Sequence, residues 1–197
     1  MEQYVITISR QFGSMGRSIA KELSTILGIE FMDRDIVEAT AKRMGLPVSV
    51  ISDEEESMKS NFFRRQYPLG MGMSSLKDEI FYTQKNIIRD FAAKGSCIIV
   101  GRCADYILED LPNHLNVYIY APDEARLKNC VENLQMDPQT AKKMMRDVDA
   151  ARNRYHKAYI PGWQSVFDHK DLMIDSSRFG IEGTAKILAD IVKNQWG

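Results

Sequence analysis

Six consecutive residues near the start of the chain, Gly13-Ser14-Met15-Gly16-Arg17-Ser18, combine two glycines, two hydroxyls and a guanidinium. Glycines let a backbone approach a phosphate closely, and amides at a helix N-terminus cradle anions. Arg17 adds a fork of donors, and Ser18 could reach a magnesium ion. The chemistry these types suggest is the holding of a polyphosphate. The phosphate-loop pattern is GxxxxGK[ST]. Placing Gly16-Arg17-Ser18 on its end puts Gln11 at the first glycine and arginine at the lysine. Further along, Asp33 and Asp35 follow a short apolar run, and either could cap the next helix or face a ligand. Arg102 follows "IIVG", and Arg146, Arg152 and Arg154 share one long segment. Arg10 just before the loop reads equally as a phosphate-facing residue or as a solvated strand end.

The elements that must position these residues alternate. "YVITIS", "IEFMD", "SCIIVG", "LNVYIYA" and "DLMIDSS" read as five strands. Helical spacing fills the intervals, through "SIAKELSTILG", "IVEATAKRMG", "LKDEIFYTQKNIIRDFAAKG", "ADYILED", "PDEARLKNCVENLQ" and a long helix from Asp137 that breaks at Pro161-Gly162. "IEGTAKILADIVKNQW" closes the chain as an amphipathic helix. Such alternation predicts a parallel sheet covered by helices on both faces. In such a sheet ligands bind beyond the carboxyl ends of the strands, which is where the glycine loop and Arg102 fall.

Length and charge set the bounds. A chain of 197 residues predicts one domain with its own core. A net charge of -1 argues against nucleic acid as a partner. No apolar run reaches the roughly 18 residues that span a bilayer, and "MEQYVITIS" lacks the features of a signal peptide. A cytoplasmic location without membrane contact is therefore expected. Cys97, Cys103 and Cys130 have neither disulfide nor metal spacing and read as buried, reduced residues. Residues 48–75 change character: polar, then rich in Met and Gly, with Arg64, Arg65, Phe62, Phe63 and Tyr67 among them. They read as a short helix and a mobile loop, an insertion that could line an acceptor pocket or meet a partner. The helix "LKDEIFYTQKNIIRDFAAKG" could serve an interface as readily as a core, so a homo-oligomer is open.

The ordered blocks "ITISRQFGSMGRSIAKELSTILGIEFMDRDIVEATAKRMG", "IIVGRCADYIL", "DVDAARNRYHKAYIPGW" and "DLMIDSS" resemble the cytidylate-kinase-like family, a divergent branch of the P-loop nucleoside monophosphate kinases. The resemblance implies a three-layer α/β/α P-loop kinase fold with a five-stranded parallel sheet in the order 2-3-1-4-5. It implies a helical lid over 138–163 and ATP with Mg2+ as donor. The acceptor it implies is a nucleoside monophosphate, or another small phosphorylated or hydroxylated molecule. By resemblance, Gly13, Ser14, Met15, Gly16, Arg17 and Ser18 hold the donor phosphates, with Ser18 on the magnesium. Asp33, Asp35 and Arg102 attend the acceptor, and Arg17, Arg152 and Arg146 act on the transferring group. Two alignments are possible, one with Arg17 at the P-loop lysine and one with Gly16 there. "GRCAD" departs from the family's "GRD", because Cys103 stands at the aspartate position. A nucleotide-binding module without kinase activity is the rival reading.

Overall fold

The computed structural model describes residues 2–51 and 73–197. Residues 52–72, which hold most of the Met- and Arg-rich insertion and its Arg64, Arg65, Phe62, Phe63 and Tyr67, lie outside the described residues.

Five strands form one parallel sheet: β1 (Val5–Arg10), β2 (Glu30–Met32), β3 (Cys97–Val100), β4 (His114–Tyr120) and β5 (Leu172–Asp175), in the order β2-β3-β1-β4-β5. The central strand pairs Ile8 with Val100 on one side and with Val117 on the other. A strand with neighbours on both edges and helices on both faces must be apolar throughout, which "VITIS" nearly is. Its alternate residues feed two cores. Ile6 and Ile8, with Ile98, Val100 and Val117, pack under α1 (Gly16–Leu27) and α7 (Ser176–Trp196). Val5, with Cys97 and Ile99, packs under α3 (Met73–Ala92) and α4 (Ala104–Ile107) through Phe81, Ile88, Phe91 and Ile107. Each fully buried isoleucine contributes about 1.5–3 kcal/mol of transfer free energy. The apolar face of α3 is thus engaged within the chain. All three cysteines are buried and free.

The remaining helices are α2 (Asp35–Met44), α5 (Asp123–Glu132) and α6 (Pro138–Tyr159). The chain is helical again over 48–51. Asp137 caps α6 by accepting from the Thr140 amide at 2.9 Å, with Pro138 at its first position. The aromatic residues after Arg152 and Arg154 pack rather than project: Tyr159 stacks on Phe81 at 4.1 Å between centroids, and the Tyr155 hydroxyl donates to Gln84 at 3.0 Å. The last helix begins at Ser176 rather than Ile181, with a break at Gly180 (φ 67°, ψ −171°). Asp175 starts it by accepting from the Ser177 amide at 2.9 Å. Among the described residues no helix is long and apolar enough to cross a membrane.

Candidate functional site

The loop between β1 and α1 is fastened from below. Ser14 Oγ shares its proton between the carbonyls of Gln11 (2.9 Å) and Ile119 (3.1 Å), and Ser176 Oγ donates to Ser14 O at 2.8 Å. Gln11 accepts from the Ala121 amide at 3.1 Å, so the residue at the first-glycine position is itself an anchor. Met15 adopts left-handed backbone (φ 60°) as α1 begins at Gly16. The amides of Gly13, Met15, Gly16, Arg17 and Ser18 find no acceptor among the described residues, and the first intrahelical bond is Ile19 N to Met15 O at 2.9 Å. These donors, at the positive end of a helix, form an anion cradle.

Two helices grip the side of the loop. The buried Arg126 of α5 donates through Nε to Phe12 O at 2.7 Å, and Asn129 donates to Gly13 O at 2.9 Å. Asp149 of α6 accepts from the Phe12 amide at 2.7 Å while pairing with Arg126 and, at 3.7 Å, with Arg152. Gly13 (φ 79°) lies so close to α5 that a Cβ there would stand 2.9 Å from both Arg126 O and Cys130 Sγ. The helix that carries Arg146, Arg152 and Arg154 is therefore bonded to the backbone of the loop between β1 and α1.

Above the loop lies a cluster of guanidinium groups around one carboxylate. Asp33 is buried and forms ion pairs with Arg17, Nε to Oδ2 at 2.8 Å, and with Arg10, Nη2 to Oδ1 at 3.5 Å. Arg17 is 54% exposed. Arg152 donates to Arg10 O at 2.9 Å. Arg102 stands in a run of three left-handed residues, Gly101 (φ 78°), Arg102 (φ 59°) and Cys103 (φ 53°). For the two non-glycine residues this conformation costs about 1–3 kcal/mol each, and such strain concentrates at functional sites. Burial first, then Arg152, pushes Arg10 down to about 9 against the upward pull of Asp33, with Arg102 and Arg17 adding to the depression. Burial likewise lowers Arg152, against Asp149, Tyr118 and Asp33, which raise it. Among the described residues, Arg10, Arg17, Arg102 and Arg152 face Asp33 and Asp149 there, and a cluster of guanidinium groups in a partly desolvated space suits an anion.

Other expected residues stand apart. Asp35 is exposed in the first turn of α2, where its charge suits the helix N-terminus. Arg146 is exposed and lines the groove between α5 and α6 with Asp123, Glu124, Lys142 and Met145, not the cluster around Asp33. Ser18 sits in the first turn of α1, half-buried. Asp105, two residues beyond Cys103 in the turn after β3, has a structural setting. It is buried in an ion pair with Lys170, with His156 at 3.8 Å. Burial raises its pKa, but His156 and Lys170 outweigh that and hold the carboxyl below its ordinary range. It ties the turn after β3 to α6 and to the segment before β5. Sequence reasoning passed over Arg126 and Asn129. Their only sign was spacing that puts Arg126, Asn129 and Cys130 on one helical face.

The profile of the Cytidylate kinase-like family matches residues 5–178, and the chain belongs to that family. Among solved structures it is similar to an uncharacterized protein from Eubacterium ventriosum ATCC 27560, at 25% identity and a TM-score of 0.73, covering 97% of this chain and 99% of that one. A shikimate kinase from Bacteroides thetaiotaomicron matches at 12% identity and a TM-score of 0.59, over 98% and 99% of the two chains. A gluconokinase from Sinorhizobium meliloti 1021 matches at 12% identity and a TM-score of 0.53, over 99% and 98%. The five-stranded parallel sheet and its helices are those of the P-loop kinase fold. No curated protein matches the chain.

Proposed function

We propose that the chain is a phosphotransferase that moves a phosphoryl group from ATP to a small acceptor bearing an anionic group. A nucleoside monophosphate of the cytidylate type heads the acceptors. The observation that carries the reading is the juxtaposition of a glycine loop with unclaimed amides and a guanidinium cluster at the neighbouring strand ends. Donor phosphates would lie on residues 13–18, and the acceptor would lie toward Asp33 and Arg102. Phosphoryl transfer asks the protein for alignment and for charge on the equatorial oxygens rather than for covalent chemistry. Arg152, bonded to the carbonyl of Arg10 at the end of β1, would supply that charge. Magnesium keeps most of its waters and takes one or two protein oxygens besides the phosphates. The Ser18 hydroxyl, at the helix N-terminus where those phosphates would sit, fits that modest demand. The ion would neutralise charge on the donor oxygens when bound. Among the described residues there is no group of three or more His, Cys, Asp or Glu that could hold a metal.

Two features favour a second reading, a nucleotide-binding sensor without turnover. The loop has no lysine, and the guanidinium of Arg17 is engaged by Asp33. ADP formation from Mg-ATP over a panel of nucleoside monophosphates, with shikimate, gluconate and an acceptor-free control, separates the two. Acceptor-dependent ADP is the expected result. Nucleotide-induced stabilisation with no ADP from any acceptor would support the sensor instead.

A further inference from the structure

The missing lysine raises the question of what replaces it. Arg17 is the nearest basic residue in sequence, yet its side chain leans out to Asp33 and is mostly in solvent. In the alternative alignment Gly16 takes the lysine position. Gly16 has no side chain, and the space one would need is filled. A Cβ built there would stand 2.7 Å from Arg10 Cβ and 3.0 Å from Arg10 Cγ. The Arg10 side chain then continues to the turn after β3, where a Cβ on Gly101 would collide with Nη1. A single side chain thus runs from the first residue of α1, on the donor loop, to the residue before Arg102. Its side chain is only 20% exposed, and its carbonyl is held by Arg152 at 2.9 Å.

We propose that Arg10 is the phosphate-binding cation of this site, delivering from the end of β1 the charge that a lysine at position 16 would deliver from α1. The inference rests on the phosphotransferase reading above and names the residue that makes a lysine-free loop work. It also explains two glycines. Gly16 admits the stem and Gly101 admits the guanidinium, so loop, strand and turn converge on one cation. Among the described residues, Arg17, Arg102 and Arg152 add like charge around it against the opposing charge of Asp33, so an incoming phosphate would relieve repulsion as well as gain hydrogen bonds.

The experiment is a calorimetric titration of the whole chain with Mg-ATP. Wild type is compared with Arg10→Ala, Arg10→Lys, Arg17→Ala and the double variant Arg10→Ala/Gly16→Lys, each checked for cooperative thermal unfolding. Arg10→Ala should weaken Mg-ATP about tenfold or more, the loss expected for a charge-assisted phosphate contact, and Arg17→Ala should weaken it less. The double variant should bind more tightly than Arg10→Ala, because the lysine it introduces enters the space that the stem vacates. Arg10→Lys should fall between wild type and Arg10→Ala. If Arg10→Ala does not fold, Gly16→Ala serves in its place. Its methyl displaces the stem without removing charge, and it should also weaken Mg-ATP. The proposal is overturned if Arg10→Ala binds as wild type does, if Arg17→Ala carries the larger loss, or if the double variant binds no better than Arg10→Ala. In the replacement case, Gly16→Ala binding as wild type overturns it. Wild type that binds no Mg-ATP would instead remove the phosphotransferase reading itself.

Discussion

Replacing Gly13 by alanine tests whether α5 presses on the phosphate loop as closely as described. Gly28 provides an internal reference. Both glycines have left-handed backbone, φ 79° and φ 65°, so an added Cβ meets similar conformational strain at each, about 1–2 kcal/mol. Their surroundings differ. At Gly28 a Cβ meets nothing within 4 Å. At Gly13 it meets Arg126 O and Cys130 Sγ at 2.9 Å and Arg126 Cβ at 3.2 Å. Backbone and a buried sulfur cannot give way cheaply, so overpacking adds about 1–3 kcal/mol. Gly28→Ala should therefore cost about 1–2 kcal/mol and Gly13→Ala about 2–5 kcal/mol in total. For a chain of this length each kcal/mol lowers Tm by roughly 2–4 °C. Urea unfolding with unchanged slope gives the two free energies directly. Pushing the loop off α5 also disturbs the Arg126–Phe12 and Asn129–Gly13 bonds, so Mg-ATP affinity should fall in Gly13→Ala and not in Gly28→Ala. Equal destabilisation of the two variants would refute the packing argument. Wild-type nucleotide affinity in Gly13→Ala would refute the link between that packing and the site.

The buried pair of Asp105 and Lys170 sets two more expectations. Among the described residues, Lys170→Met leaves the buried carboxylate with the more distant His156 and should cost about 3–5 kcal/mol by urea unfolding; under about 1 kcal/mol would mean that the pair is open to water in solution. Because the Asp105 pKa is depressed in the folded state, its stabilisation is complete above the ordinary carboxylate range and lost as pH falls below about 4. Stability of the wild type should therefore drop in acid more steeply than that of Asp105→Asn, and parallel acid limbs would contradict the assignment. For the lid, Arg152→Ala should lower kcat more than it weakens Mg-ATP binding; equal losses in both would mean that Arg152 only holds ground-state substrate.

The sheet was legible because local and global cues agree. β1 is β-branched at its four covered positions Val5–Ile8, with Ser9 the buried polar exception, and α1 shows helical spacing that ends at Gly28. The long helix was legible up to its break for the same reason. The early start of α7 was hidden because Gly180 interrupts the period, so Ser176–Phe179 did not read as part of it. For Asp33 the sequence left capping and ligand-facing roles open. The structure starts α2 without a side-chain cap and turns the carboxylate to Arg10 and Arg17. The clamp on the loop was not legible, since Phe12 meets Asp149 from 137 positions away and Arg126 from 114. Nothing local marks such partners. The ambiguity of Arg10 has the same origin, because what covers a strand-end arginine depends on Gly101, a residue on another strand's turn.

The phosphotransferase reading requires the loop at 13–18 to receive the donor phosphates. Amide hydrogen exchange of the whole chain, with and without saturating Mg-ATP, tests this most directly. The amides of Gly13, Met15, Gly16, Arg17 and Ser18 have no acceptor within the described chain and should exchange fast in the free protein. The account predicts that Mg-ATP protects them, with smaller protection around Arg152 as α6 settles on the site. Binding that leaves those amides as exposed as before, with protection elsewhere, would contradict it.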